Sequence, residues 1–255
     1  MKAHEKISNA ITAANNSGRT ALVPFITAGY PEPKSFTETL KSVASVGDVV
    51  EVGIPFSDPM ADGMTIQRSS FIALQKGVSL KWILDELDSV NDEIEAPLIL
   101  MSYLNPLLAF GYEKLAERAL NAGVCGVIVP DLPYEESADL RNALEKKGLG
   151  LIQLISPATP EERLKKLCRA SRGFVYAVTV TGITGGADMP QDLSDYLNKV
   201  SSFSNIPVCA GFGIRKAKDV KAVGQHVNGA IIGSALVEVL EREEEPKPFL
   251  EELLK

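Results

Sequence analysis

Short apolar runs rich in Val and Ile alternate along the chain with longer amphipathic stretches. This alternation is typical of βα units around a parallel sheet, whose strands are buried on both faces. Eight runs are predicted to be strands, at residues 21–27, 49–54, 98–103, 126–129, 149–154, 174–179, 207–210 and 230–232. The amphipathic stretches predict helices, among them residues 35–46, 112–121, 135–147, 160–170 and a helix that starts with Ser234 at its cap.

Eight consecutive βα units fit either a closed (β/α)8 (TIM) barrel or a doubly wound open sheet. The first strand is not followed by the G-x-G-x-x-G turn of a dinucleotide-binding sheet, which favours the barrel. The 255 residues match the usual size of such a barrel, so we expect a single domain over residues 1–255. An extra helix is expected before the first strand, and the loops after strands 2 and 6 are enlarged.

Composition narrows the class of protein. Hydrophobic residues make up 45% of the chain and charged residues 23%, as in an ordinary globular protein. The net charge of -7 argues against a nucleic-acid or anionic membrane surface as a partner. Three well-separated cysteines suggest neither a disulfide framework nor a zinc ribbon, and the amino terminus is too polar for a secretory signal. We therefore expect a cytoplasmic protein.

Glu51 is a carboxylic acid inside an otherwise apolar strand. Side chains alternate along the strand, so one face carries Val49, Glu51 and Gly53. The other face carries Val50, Val52 and Ile54. In a barrel Glu51 either points into the mouth or is desolvated, and burial would raise its pKa towards neutrality. The alternative is a Glu on a solvated edge strand. Active sites of such barrels lie at the carboxyl ends of the strands, which makes Glu51 a candidate acid or base.

Asp58 and Asp62 follow in the adjoining loop, among Pro and Gly residues. Either could be an ordinary turn residue. A second carboxylate near a buried Glu would instead let one site perform acid and base steps with different pKa values.

Glycines cluster after the last three predicted strands, at positions 182, 185, 186, 211, 213 and 233. Each alone indicates only a tight turn. Together with the amino terminus of the helix that follows Gly233, they predict a cradle of backbone amides for a phosphate group.

Missing residue types also limit the chemistry. No predicted strand contains a lysine, which disfavours a Schiff-base aldolase. The only histidines, His4 and His226, have no metal-ligand partner at a suitable spacing, which disfavours a metal site and a Ser/His hydrolase. Proton transfer must then suffice, and the substrate must supply its own electron sink.

Seven segments together resemble the tryptophan synthase alpha subunit family, in consistent order over nearly the whole chain. They are PFITAGYP (24–31), EVGIPFSDPMADGMTIQ (51–67), SYLNPLLAFG (102–111), PDLPYEES (130–137), TGITGG (181–186), GFGI (211–214) and GSALVE (233–238). The resemblance implies a lyase that cleaves indole-3-glycerol phosphate to indole and D-glyceraldehyde 3-phosphate by a retro-aldol reaction without metal or cofactor in this chain.

The same resemblance implies roles for individual residues. Glu51 would be the general acid and base, and Asp62 would accept a hydrogen bond from the indole N–H. Substrate would also contact Tyr176, Thr184, Phe212, Tyr103 and Ile66, although core packing is an equal alternative for Tyr103 and Ile66. The phosphate would bind near Gly185, Gly213, Gly233 and Ser234.

Members of the family work as an αββα heterotetramer whose beta subunit carries pyridoxal phosphate and receives indole through a tunnel. The resemblance places the contact surface at Pro55, Asp58, Met60, Asn105 and Pro106. Met64 stands where the family usually has Pro, which bears on the strength of coupling to the partner. Two other readings remain open: a binding and regulatory subunit that is productive only when docked, and a stand-alone indole-producing lyase.

Overall fold

The computed structural model describes residues 1–179, 191–211 and 213–255. Of residue 191 it describes the backbone but not the side chain. Eight parallel strands close into a barrel in the order β1 to β8. They are β1 (Ala21–Thr27), β2 (Val50–Gly53), β3 (Leu98–Met101), β4 (Val124–Ile128), β5 (Gly150–Ile155), β6 (Val175–Val178), β7 (Val208–Gly211) and β8 (Gly229–Ile232). Pairing of Ala21 with Gly229 and of Val23 with Ile231 closes the barrel, which confirms the predicted fold.

The described residues form twelve α-helices, which alternate with or flank the strands. They are α1 (Ala3–Asn16), α2 (Phe36–Ala44), α3 (Met64–Gln75), α4 (Leu80–Ser89), α5 (Leu104–Phe110), α6 (Tyr112–Asn121), α7 (Ala138–Lys146), α8 (Glu161–Ala170), α9 (Gln191–Phe203), α10 (Ala217–Gly224), α11 (Ser234–Glu241) and α12 (Pro246–Leu253). None of these helices is both long enough and apolar enough to cross a membrane.

Two apolar shells hold the barrel together. The outer shell lies between the strands and the surrounding helices and includes Val50, Val52 and Ile54 of the second βα unit. The inner shell fills the barrel itself and includes Val49 and Ile99. Burial on both faces explains why the strands are continuous apolar runs.

The extra amino-terminal helix α1 closes the barrel at the amino ends of the strands. Ile7 and Ile11 are fully buried in the inner shell. The side-chain amide of Asn15 donates to the carbonyl of Asn228, directly before β8, at 2.8 Å. This leaves the carboxyl ends of the strands as the open mouth of the barrel.

Some predicted boundaries were wrong by one to several residues. Strand β4 begins at Val124, before the predicted start at Gly126, because this glycine lies within the strand: a Cβ there would come within 3.1 Å of Ile7 Cδ1. The helix predicted over residues 135–147 is a short 3-10 turn (Tyr134–Glu136) followed by α7. Ser137 separates them, and its buried hydroxyl donates to the carbonyl of Tyr134 at 2.7 Å.

Candidate active site

A cavity of about 240 Å³ opens at the carboxyl ends of the strands. Its wall comes from loops that follow strands far apart in the sequence, together with inward-facing side chains of the barrel. The described residues that line it include Phe25, Glu51, Asp62, Met64, Thr65, Ile66, Met101, Tyr176, Gly213, Arg215, Ile231, Gly233 and Ser234. Barrel enzymes place their catalytic groups at this end.

Glu51 points into the barrel, as the alternation of β2 predicts. Its neighbours Val50 and Val52 belong to the outer shell, whereas Val49 belongs to the inner one. Glu51 is paired on both sides in the sheet, with Phe25 on β1 and Ile99 on β3. It is therefore not on a solvated edge strand, and its position is fixed by backbone pairing.

The carboxyl group of Glu51 is almost fully buried, with 1% of the residue exposed. Its Oε2 atom is buried and has no hydrogen-bond partner among the described residues. Burial, and secondarily the charge of Asp62, raise the pKa of Glu51 to about 8. Because an ionised carboxylate here would lose its hydration without compensation, Glu51 holds its proton at neutral pH.

Asp62 lies in the loop between β2 and α3, and its neighbours hold it on both sides. The hydroxyl of Tyr103 donates to Asp62 Oδ2 at 3.1 Å and accepts from the N–H of Ala61 at 2.8 Å. The side-chain amide of Gln67 donates to the backbone carbonyl of Asp62 at 2.8 Å. Burial raises the pKa of Asp62 to about 6, and the Tyr103 hydrogen bond opposes this rise.

Tyr176 and Ile66, which the family resemblance gives as substrate contacts, both line the cavity. Tyr176 extends from the inner face of β6, and burial followed by the charges of Glu51 and Asp62 raises its pKa. A Cβ at Gly211 would lie 2.4 Å from the Tyr176 hydroxyl, so glycine makes room for this ring. No hydrogen bond joins Tyr176 to Glu51 within the described part of the chain.

Tyr103 does not lie in the cavity wall but behind Asp62. It is 3% exposed, and its ring stacks on Phe56 at 5.2 Å between centroids. The sequence offered two interpretations, pocket lining or core packing. The structure adds a third, because the hydroxyl connects the Asp62 carboxyl to the loop backbone.

Three of the residues predicted to bind a phosphate group lie together in the structure. Gly213, Gly233 and Ser234 line the same cavity, and Gly213 has a positive φ of 83° that favours glycine. The expected cap was wrong: Gly233 is the N-cap of α11 and makes no side-chain cap bond, so Ser234 is the first helical residue. The first-turn N–H groups of a helix have no intrahelical acceptor. Gly182, Thr184, Gly185, Gly186 and Phe212 lie outside the described residues.

The residues predicted for partner contact differ in exposure. Asp58, Met60 and Asn105 are exposed at the mouth, and Pro106 is half-buried. Pro55 is buried, so in this structure its side chain supports the loop and is not available at the surface.

Four lining residues were not predicted from the sequence: Phe25, Thr65, Met101 and Arg215. Phe25 lies in the segment PFITAGYP and Thr65 in DGMTIQ, and Arg215 directly follows GFGI. Their adjacency to these motifs was the available signal.

Together the fold and the site define a (β/α)8-barrel enzyme with a protonated carboxylic acid and a second carboxyl group in its mouth. The family model for the tryptophan synthase alpha chain matches residues 11–254. The chain belongs to the tryptophan synthase alpha chain family, and it is a lyase that performs the alpha reaction of tryptophan biosynthesis.

Individual relatives agree with this assignment. The chain is 44% identical over 235 residues to the tryptophan synthase alpha chain of Bacillus cereus (strain AH820), covering 91% of each protein. It is 41% identical to that of Nitratidesulfovibrio vulgaris (strain DP4), covering 92% of this chain and 93% of the relative. A structure of Mycobacterium tuberculosis tryptophan synthase superposes with a TM-score of 0.89 at 33% identity, covering 97% of this chain and 96% of the other.

Proposed function

We propose that Glu51 and Asp62 carry the alpha reaction in this chain, the cleavage of indole-3-glycerol phosphate to indole and D-glyceraldehyde 3-phosphate. The main support is Glu51, a buried acid that shares a cavity with a second carboxyl group and whose Oε2 atom has no hydrogen-bond partner in the described part of the chain. Two carboxyl groups with separated pKa values can take different roles in one reaction.

Glu51 begins the reaction as a neutral acid and donates its proton to C3 of the indole ring. The ring then carries positive charge, which Asp62 stabilises by accepting a hydrogen bond from the ring N–H. The Glu51 carboxylate takes the proton of the hydroxyl on the adjacent side-chain carbon. The O–H electrons form the aldehyde C=O bond, and the electrons of the broken C–C bond return to the ring. One proton is given and one is recovered, so no co-reactant is consumed.

The remaining wall residues hold the substrate in position. Ile66 and Tyr176 line the cavity and contact the substrate there. The family resemblance also gives substrate contacts to Phe212 and Thr184, which lie outside the described residues. Backbone amides near Gly213, Gly233 and Ser234, with Gly185, bind the phosphate. The described members of this set line one cavity, which supports binding of the ring and the phosphate of a single ligand there.

This chain assembles with a beta subunit into an αββα complex, and the pyridoxal phosphate belongs to that partner. The exposed side chains of Asp58, Met60 and Asn105 at the mouth support this assembly. A cytoplasmic location stays a prediction from the sequence. Indole release by the chain with and without a beta subunit separates a lyase from a regulatory subunit. A tight complex in gel filtration would contradict a stand-alone lyase.

The Glu51→Gln variant tests the catalytic assignment. It keeps the shape of the side chain but cannot exchange the proton, so indole release in a single turnover should fall by about 100-fold or more. Full turnover by Glu51→Gln would overturn the role of Glu51. Glu95→Gln, an exposed substitution outside the site, is the matched control and should keep wild-type turnover.

Loss of folding would not explain a loss of activity in Glu51→Gln. The folded chain holds the Glu51 proton up to a pH of about 8, whereas an ordinary glutamate loses it near 4.5. Ionisation therefore opposes folding increasingly as the pH rises through this window. The amide cannot ionise, so the variant should be at least as stable as the wild type above pH 7 in thermal unfolding.

A further inference from the structure

Arg215 lines the same cavity as Gly213, Gly233 and Ser234. It is the one cationic side chain among the described residues that line this cavity. Arg215 lies in the loop between β7 and α10. Its backbone N–H donates at 3.0 Å to the buried carboxyl group of Asp219. That hydrogen bond fixes the backbone from which the side chain extends.

A bidentate ion pair orients the guanidinium of Arg215. Its Nη1 and Nη2 atoms lie 2.7 and 2.8 Å from the two carboxyl oxygens of Glu238. Glu238 is one helical turn after Ser234 on α11, so the pair lies beside the first turn of that helix. A guanidinium has five N–H donors and this pair uses two of them, which leaves donors for a ligand.

The surrounding charges favour a cation here if the ligand is a phosphate. The carboxyl group of Asp62 shares the cavity, and the whole chain has a net charge of -7. Glu238 would repel a phosphate held at Ser234 if it were not paired. Arg215 both neutralises Glu238 and adds charge-assisted donors to those of the helix amino terminus.

We propose that Arg215, held by Glu238, is a specificity-determining residue that recognises the phosphate group of the substrate in addition to the backbone amides. This inference rests on the proposed function, because it takes the phosphate ester as the ligand. The same chemistry applies to any phosphomonoester that enters this end of the cavity.

A pair of substrates tests the proposal: indole-3-glycerol phosphate and the same molecule without its phosphate. Arg215→Ala should lower kcat/KM for the phosphorylated substrate by about 10- to 100-fold, mainly through KM, as expected for loss of a charge-assisted bond. The value for the dephosphorylated substrate should change less than about twofold. Lys218→Ala removes an exposed charge three residues away and is the matched control. An equal loss on both substrates, or no loss, would overturn the proposal.

Glu238→Gln separates recognition from mere support of the loop. It removes the carboxylate charge but leaves Arg215 in place, so the preference for the phosphorylated substrate should be kept or increased. If Glu238→Gln lost this preference as fully as Arg215→Ala, Arg215 would be only a structural tie. Thermal unfolding of each variant reports whether the fold is intact.

Direct binding distinguishes failure of this inference from failure of the proposed function. Calorimetric titration with glycerol 3-phosphate should give affinity about 10-fold or more weaker for Arg215→Ala than for the wild type. A wild-type chain that binds glycerol 3-phosphate but releases no indole would contradict the function alone. A wild-type chain that releases indole, with equal glycerol 3-phosphate affinity in both proteins, would contradict the role of Arg215 alone.

Discussion

Glu51 and Asp62 share a cavity but have different surroundings. Glu51 is almost fully buried and its Oε2 atom has no hydrogen-bond partner among the described residues, whereas Asp62 accepts a hydrogen bond from Tyr103. The pKa values, about 8 and about 6, separate accordingly. Between about pH 6 and about pH 8 the protonated form of Glu51 coexists with the ionised form of Asp62, which is the combination that the proposed mechanism needs.

The pH dependence of kcat/KM should therefore be bell-shaped. Activity should fall above a pH of about 8, where Glu51 loses its proton, and below about 6, where Asp62 gains one. Initial rates of indole release between pH 5 and about 9.5 (at least one unit beyond each pKa) would show this. A rate that rises continuously through pH 9 would contradict Glu51 as the proton donor.

Tyr103→Phe should move the acidic limb of this profile to higher pH. Its hydroxyl favours the ionised form of Asp62 and occupies the Ala61 N–H, so its removal raises the pKa of Asp62 and frees the loop. We expect about a 10-fold loss of kcat/KM at neutral pH. Tyr134→Phe, a partly exposed tyrosine on another loop, is the control. An acidic limb that stayed in place would mean that Tyr103 only packs.

Individual site residues were predictable to different degrees. Glu51 was predictable because a strand alternates strictly, so an acid on the inner face must face the barrel interior. The hydrogen bond of Tyr103 and the direction of Arg215 were not, because loop conformation sets both. Only contacts between separate βα units, such as that of Arg215 with Glu238, determine where such side chains point.

Helix α1 is the element on which the amino-terminal end of the barrel depends. Ile7 is fully buried and packs where Gly126, in β4, and Gly173, just before β6, leave space for it. The strand order and the helices were predictable from apolar periodicity. Strand ends were less so, because a glycine such as Gly126 can either end a strand or admit a neighbouring side chain.

Ile7→Ala should lower the free energy of unfolding by about 2–5 kcal/mol, and Ile7→Val by about 0.5–1.5 kcal/mol. The exposed neighbour substitution Lys6→Ala should stay within about 0.5 kcal/mol of the wild type. Urea unfolding measures all three. Turnover of folded Ile7→Val should be unchanged, because the site is at the opposite end of the barrel. A cost below about 0.5 kcal/mol for Ile7→Ala would show that α1 does not close the core.

The mouth of the barrel carries exposed apolar side chains beside the cavity. Met60, on the loop after β2, is 81% exposed, and Leu108, on the helix after β3, is 58% exposed. Neighbouring strands place both at the same end of the barrel. Such side chains fit the predicted docking of a partner protein on this face.

Met60→Asp and Leu108→Asp should each weaken binding of a beta subunit by about 10-fold or more, because a buried unpaired charge is costly. Phe71→Asp replaces an equally exposed apolar side chain in the middle of α3, away from the mouth, and should bind normally. Titration by fluorescence anisotropy with a labelled beta subunit would measure the three affinities. Equal weakening by Phe71→Asp would place the interface elsewhere.

Glu51 and Asp62 belong to parts of the backbone that are held in place to different degrees. Glu51 belongs to a strand that is paired on both sides, whereas Asp62 sits two residues beyond Met60 on a loop that reaches the surface. A protein that bound this loop would shift Asp62, the proposed acceptor for the ring N–H, and leave Glu51, the proposed proton donor, where it is. Docking could thus set the timing of the reaction without altering its acid.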